Sequence, residues 1–141
     1  MTTMLLVLGG IAIVASVIWL VGHERRAKEK KVQRAFVGRE PLTPEAFYDR
    51  YFLGLGIEPE VIFGIRKILE EHLDADMSRL HAEDDFSKNL SFFWDFDSMA
   101  DVDVVLAIEE YFQIKITNTE AEKTHTVSEL MRLVSGKVGR G

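Results

Sequence analysis

The stretch DFDSMADVDVVLAIEEYF, residues 95–112, sets one hydroxyl, that of Ser98, at the head of an amphipathic run. Val102, Val105, Leu106, Ile108 and Phe112 recur at helical period, so a helix is expected from Ser98 to Phe112 with these residues inward. Asp95 or Asp97 stands where an N-cap is needed. Three readings of Ser98 follow: a solvated hydroxyl in the first helical turn, a nucleophile, or a point of covalent attachment. The positive end of the helix dipole favours a phosphate placed there, and the neighbouring acids suit a basic modifying enzyme.

Working outward, the flanks read as further helices. Downstream, IKI (114–116) is too short to stand as a strand, and TNTEAEK suggests one helical turn capped by Thr117 or Asn118. Thr126 and Glu129 then have capping-box spacing, followed by Leu130, Leu133 and Val134. Upstream, a long loop runs from Asp74 to Asp97, with Leu80, Phe86 and Leu90 as its expected anchors. Before it, Pro59 opens a strong helix whose stripe is Val61, Ile62, Ile65, Ile68, Leu69 and Leu73. Gly64 in that stripe costs propensity and permits a close helix contact. Earlier still, Thr43, Pro44 and Glu45 start a short helix with a sticky face of Phe47, Tyr48, Tyr51 and Phe52, stopped by Gly54–Gly56. The fold class is all-α: three main helices and one short one, able to leave a slot for an elongated apolar ligand.

Residues Met4–Gly22 contain no charge, and as a helix they would be about 28 Å long, close to the hydrocarbon thickness of a bilayer. The segment before them has no Lys or Arg, and no small-x-small cleavage site follows, so an anchor is favoured over a signal peptide. Arg25, Arg26, Lys28, Lys30, Lys31 and Arg34 all follow the span, which places the N-terminus outside and the bulk of the chain in the cytoplasm. The chain thus divides into a transmembrane anchor (1–22), a basic juxtamembrane linker (23–42), a short amphipathic helix (43–56), a main domain (57–136) and a flexible tail (137–141). If extended, a linker of some twenty residues reaches roughly 65 Å.

Charge and composition exclude several functions. Residues 58–135 hold 18 acids against 7 Lys plus Arg, a surface that repels nucleic acid and attracts proteins with basic patches. There is no cysteine, hence neither a disulfide nor a thiolate nucleophile. The four histidines show no metal-binding spacing, and no Gly-rich phosphate loop is present. Asp101 and Asp103, two apart on a helix, do not converge as an acid–base pair. Ser98 lacks the GxSxG elbow, so no catalytic residue is expected.

DSMADVDVVLAIEEYF resembles the Asp-Ser-Leu segment and recognition helix of the acyl carrier protein family, down to the acidic pair and aromatic at its end. ITNTEAEKTHTVSEL is similar to that family's third- and fourth-helix region, and VIFGIRKILEEHLDADMSRLHAEDDF to its first helix and long loop; the likeness covers about residues 58–135. It implies a four-helix acyl-carrier bundle in which Ser98 receives 4′-phosphopantetheine from coenzyme A, through a phosphopantetheinyl transferase. Asp97 and Met99 fill the positions beside the modified serine. Asp101, Asp103, Glu109 and Glu110 would form the acidic face read by acyl-loading and acyl-transferring enzymes of lipid or secondary-metabolite biosynthesis. Together with the anchor, this describes a carrier tethered to the lipid bilayer of the cytoplasmic (inner) membrane. The alternative is an unmodified carrier-like interaction module at the same membrane.

Two features are particular to this chain. After Leu90, SFFWDF intrudes before Asp97, a four-residue insertion relative to the family's Leu-Gly-x-Asp-Ser, and Thr124 stands where an aliphatic residue usually closes the acyl slot. The aromatics Phe92, Phe93, Trp94 and Phe96 admit two readings, core beneath the loop or an exposed docking patch.

Overall fold

The computed structural model describes residues 2–139. Among them it has seven helices and no strand: α1 (Thr2–Ala35), α2 (Pro44–Tyr51), α3 (Pro59–Leu73), α4 (Phe93–Phe96), α5 (Ala100–Phe112), α6 (Asn118–Lys123) and α7 (Val127–Val138). The all-α class is therefore as expected. Met1 and positions 140–141, ends of the expected anchor and tail, lie outside the described residues. The tail was expected from 137, yet α7 continues through Val138.

Helix α3 is the hub, with α2, α5 and α7 all packed on it. Every residue of its expected stripe is buried, because a 15-residue amphipathic helix has neighbours on several sides here. The contact with α5 is close: a Cβ on Gly64 would lie 2.8 Å from Phe112 Cζ and 2.9 Å from Tyr111 Cε1. The missing side chain is what lets the two helices approach, as the glycine suggested.

The caps explain where the helices start. The Thr43 side chain accepts from Ala46 N, with Pro44 at the first position of α2. Thr117 and Glu120 form a full reciprocal capping box at α6. At α7 only half the box closes: Thr126 Oγ1 accepts from Glu129 N, while the Glu129 carboxylate takes His125 N instead of the Thr126 amide.

Three expectations need correction. First, α5 begins at Ala100, with Met99 as N-cap; neither Asp95 nor Asp97 caps it. Its buried stripe is Ala100, Val104 and Ile108, whereas Val102 and Leu106 are exposed. The helix is apolar round most of its circumference, so period alone admits two stripes, and α3 covers only one. Second, the long loop is not wholly irregular: α4 forms inside it, Leu80, Leu90 and Phe93 are buried, and Phe86 is partly so. Of the insertion's aromatics, Phe93 is thus core. Phe92 and Trp94 pack partly buried against the core, and Trp94 Nε1 donates to Phe86 O at 2.8 Å.

Third, residues 23–35 are helical and not an extended linker, because α1 runs on without a break. The end of α1 and the segment after it are built into the bundle: Val32, Phe36, Leu42, Phe47, Phe52 and Ile57 are all buried. Arg39 clasps the buried Asp84 carboxylate with two hydrogen bonds of 2.8 Å, and His81 N and Asn89 Nδ2 donate to the same group. Burial alone would raise the Asp84 pKa, but these donors, Arg39 foremost, outweigh it and hold the carboxyl below its ordinary range. Arg66, also buried, donates to the carbonyls of Leu42 and Thr43 and lies over the Phe47 ring. The body is therefore the expected bundle plus an N-terminal arm packed along it.

Candidate functional site

The site begins where α4 ends. Asp97 is extended (φ −148°, ψ 105°), which breaks the chain away from α4 and starts a tight turn through Ser98 and Met99 into α5. Asp97 Oδ1 accepts from Met99 N at 3.0 Å, and its carbonyl accepts from Ala100 N at 3.2 Å. The first bond closes the turn with the Asp97 side chain, the local habit of Asp in such positions, and the second with its backbone. The acid thus shapes the turn that displays Ser98 instead of capping the helix.

Ser98 and Asp97 are exposed, and Met99 is 56% exposed although apolar. The Ser98 hydroxyl has no hydrogen-bond partner among the described residues, so it is neither cap nor member of a hydrogen-bonded triad there. It precedes the first turn of a 13-residue helix, at the positive end of its dipole, where Met99 N, Ala100 N and Val102 N are already taken by Asp97 and Asp101. Such a position suits an esterified phosphate.

Beyond the turn lies an apolar cleft of about 420 Å³ lined mainly by α5, α6 and α7, with Leu69, Phe86 and Trp94 also lining it. Val102, Val105 and Leu106 of α5 form one wall; Ile116, Ala121 and Leu133 contribute to the rest. The volume falls in the range of small-molecule sites. The α5 residues that were expected to be buried, and are not, are the ones that line it. Thr124 also lines the cleft, and its hydroxyl donates to Glu120 O at 2.7 Å, so this polar residue brings no unpaired group into an apolar wall. Glu120 in turn bonds Thr117 N and Lys137, which lowers its pKa to about 2 and ties α6 to α7.

Of the four acids expected to face partners, Asp101, Asp103 and Glu110 are exposed on α5. Glu109 is half-buried, and its carboxylate accepts from Ile116 N at 2.9 Å. It therefore holds the α5–α6 connection, with less freedom to meet a partner. No cluster of residues fit to hold a metal occurs among the described residues.

What sequence reasoning missed is the reach of α1 into this region. Lys31 Nζ lies over the Phe96 ring, 5.6 Å from its centroid, two residues from Ser98. Lys28 donates to Leu73 O at 3.1 Å, and Lys28 and Arg25 both lie 3.7 Å from the Asp74 carboxylate. The signal was available: Lys28, Val32 and Phe36 repeat at i, i+4 and i+8, a helical stripe inside a segment read only for its charge.

Comparison with known proteins bears on the same surface. Over 80 residues the chain is 34% identical to the acyl carrier protein of Phenylobacterium zucineum, covering 57% of this chain and 96% of the relative. The acyl carrier protein of Picosynechococcus is 35% identical over 80 residues, 57% of this chain and 94% of its own length. That of Caulobacter vibrioides is 33% identical over 78 residues, 55% and 95% respectively. No family model matches the chain.

Proposed function

The chain belongs to the acyl carrier protein family, and we propose that it presents acyl groups on a 4′-phosphopantetheine arm at Ser98, tethered to a membrane by α1. Its relatives are named as carriers, which agrees with the expectation that the chain is no enzyme. The observation that carries the proposal is the exposed Ser98 hydroxyl in its Asp97-closed turn at the head of α5.

The residues present fit the group. In loading, Ser98 Oγ gives up its proton to a base on the transferase and displaces the nucleotide portion of coenzyme A from phosphorus. The electropositive end of α5 favours the resulting phosphodiester anion. When bound, the arm supplies a terminal thiol that holds an acyl group as a thioester. Val102, Val105 and Leu106 give an acyl chain an apolar wall to lie against. Asp101, Asp103 and Glu110 remain free to meet Arg and Lys of the transferase and of acyl-handling enzymes.

The tether rests on α1, whose most apolar 18-residue window has mean hydropathy 2.7 and no residue buried in the protein. A core helix that apolar would be covered; this one offers its whole surface to a lipid phase. The Lys and Arg excess after the span supports a cytoplasmic carrier body, on the side where coenzyme A is available. The chain is co-expressed with a phosphopantetheinyl transferase and its intact mass measured. A phosphopantetheine-sized increment that Ser98→Ala abolishes supports the carrier. Its absence with several competent transferases leaves an unmodified docking module.

A further inference from the structure

A flexible tether of twenty residues would let the carrier wander, with a root-mean-square span of roughly 25 Å. The geometry of α1 is different. The helix passes from the apolar segment into the bundle with no break through Ala35, and its last turns are fixed by packing. Val32 and Phe36 are buried, Arg25 and Lys28 face Asp74, Gln33 Oε1 accepts from Arg79 Nη2 at 2.6 Å, and Arg39 holds Asp84. Only His23 and Glu24 separate the apolar run from the first of these contacts.

We propose that α1 is a rigid strut that holds Ser98 at a set height just above the bilayer, within reach of an acyl-handling enzyme whose arm-accepting mouth opens at the cytoplasmic interface. This rests on the membrane reading given above. Lys31 is nine residues past Gly22, about 14 Å along the helix axis, and it touches Phe96. Ser98, two residues further, stands on the order of 10–20 Å beyond the hydrocarbon edge. The interfacial layer itself takes up about 5–8 Å of that. The hydroxyl thus lies just past the headgroups, on the side of the bundle that α1 and α4 share.

Charge favours the same attitude that the packing sets. Residues 58–135 carry a net −11, and an anionic leaflet repels them, while 23–40 carry a net +4. The acidic body stands off the surface and the basic end of the strut stays on it. An enzyme with its opening several nanometres above the membrane is out of step with this arrangement; one with its opening at the interface meets the arm without bending the strut.

The cysteine-free sequence makes the height measurable. The full chain carrying Ser98→Cys is labelled with a donor dye and reconstituted into vesicles of phosphatidylcholine and phosphatidylglycerol with a headgroup-attached acceptor. The expected result is a narrow donor-height distribution centred 10–20 Å from the hydrocarbon edge. Inserting seven helix-forming residues after Gly22 adds two turns and should raise it by about 10 Å with little rotation. Seven Gly-Ser residues at the same place should broaden the distribution instead. A wild-type distribution as broad as the Gly-Ser variant's, or a height unmoved by the helical insertion, overturns the strut while leaving the tether intact. A chain that fails to float with the vesicles overturns both.

Discussion

Replacing Phe47 by alanine tests whether the arm before the carrier body is part of its core. Phe47 is fully buried, packs edge-on against Tyr51 and Phe52, and lies under the Arg66 guanidinium. Deleting a buried phenyl ring costs about 3–5 kcal/mol, and the spread reflects how far the site can collapse. Collapse is restricted here, since α2 is fastened at both ends: Arg66 bonds the carbonyls of Leu42 and Thr43 before it, and the Tyr48 hydroxyl bonds Ile57 O beyond it. Arg66 also loses the ring that covers it, so the upper half of the range is expected. For a body of roughly a hundred residues this is a fall in Tm of about 15–25 °C. The full chain in non-ionic detergent, followed by near-UV circular dichroism, gives the measurement. Below the lowered Tm, modification of Ser98 should proceed as in the parent. A loss under about 1 kcal/mol would refute the reasoning and make α2 a peripheral flap.

Other expected outcomes separate similar-looking positions. Ile108→Ala should cost about 2–5 kcal/mol and Leu106→Ala under about 1 kcal/mol, because the first is buried on α3 and the second lines an open cleft; denaturant titrations of both variants check this. Asp84→Ala should cost about 3 kcal/mol, with Arg39→Ala adding little to it, since each strands the other's charge; a double-mutant cycle reads the coupling. The Glu120 carboxyl titrates at about 2 in the fold against an ordinary 4.5, so its stabilisation is full above pH 4.5 and fades as pH falls toward 2. Glu120→Gln should therefore destabilise at neutral pH, with the difference from the parent closing by about pH 2 in equilibrium unfolding.

Much of the fold was legible because its decisive signals were local. The α3 stripe, the Thr43, Thr117 and Thr126 caps and the glycine stop after α2 each depend on a few neighbours in sequence. Legibility failed where two local solutions were equally good. On α5, both the 100/104/108 stripe and the 102/106 stripe are apolar, and only the position of α3 decides between them. The Asp97 side chain had two ways to bond a nearby amide, and it took Met99 N in the turn rather than a helix amide. Ser98 was singled out by its motif, while the cleft depends on residues from five helices, α3 to α7, that no single window brings together. In residues 23–36 the charges masked the apolar pair Val32 and Phe36, so a docking face read as a linker.

Whether that docking face acts as a joint or a hinge depends on which of its contacts carry the load. Asp74 is exposed, and its pairs with Arg25 and Lys28 at 3.7 Å are loose and open to salt, so together they are worth about 1 kcal/mol at most. Val32 and Phe36 are buried outright, and the Arg39–Asp84 pair ends inside the body, where breaking it strands a charge. The stiffness therefore comes from residues 32–39, beyond the ion pairs nearest the apolar segment. Salt can loosen the contacts closest to the apolar segment without freeing the body, whereas losing the Phe36 ring should weaken the joint at any ionic strength. If the tether proposed above holds, the division would keep the attachment constant where local ion concentrations vary, as an attachment made of surface charge alone would not.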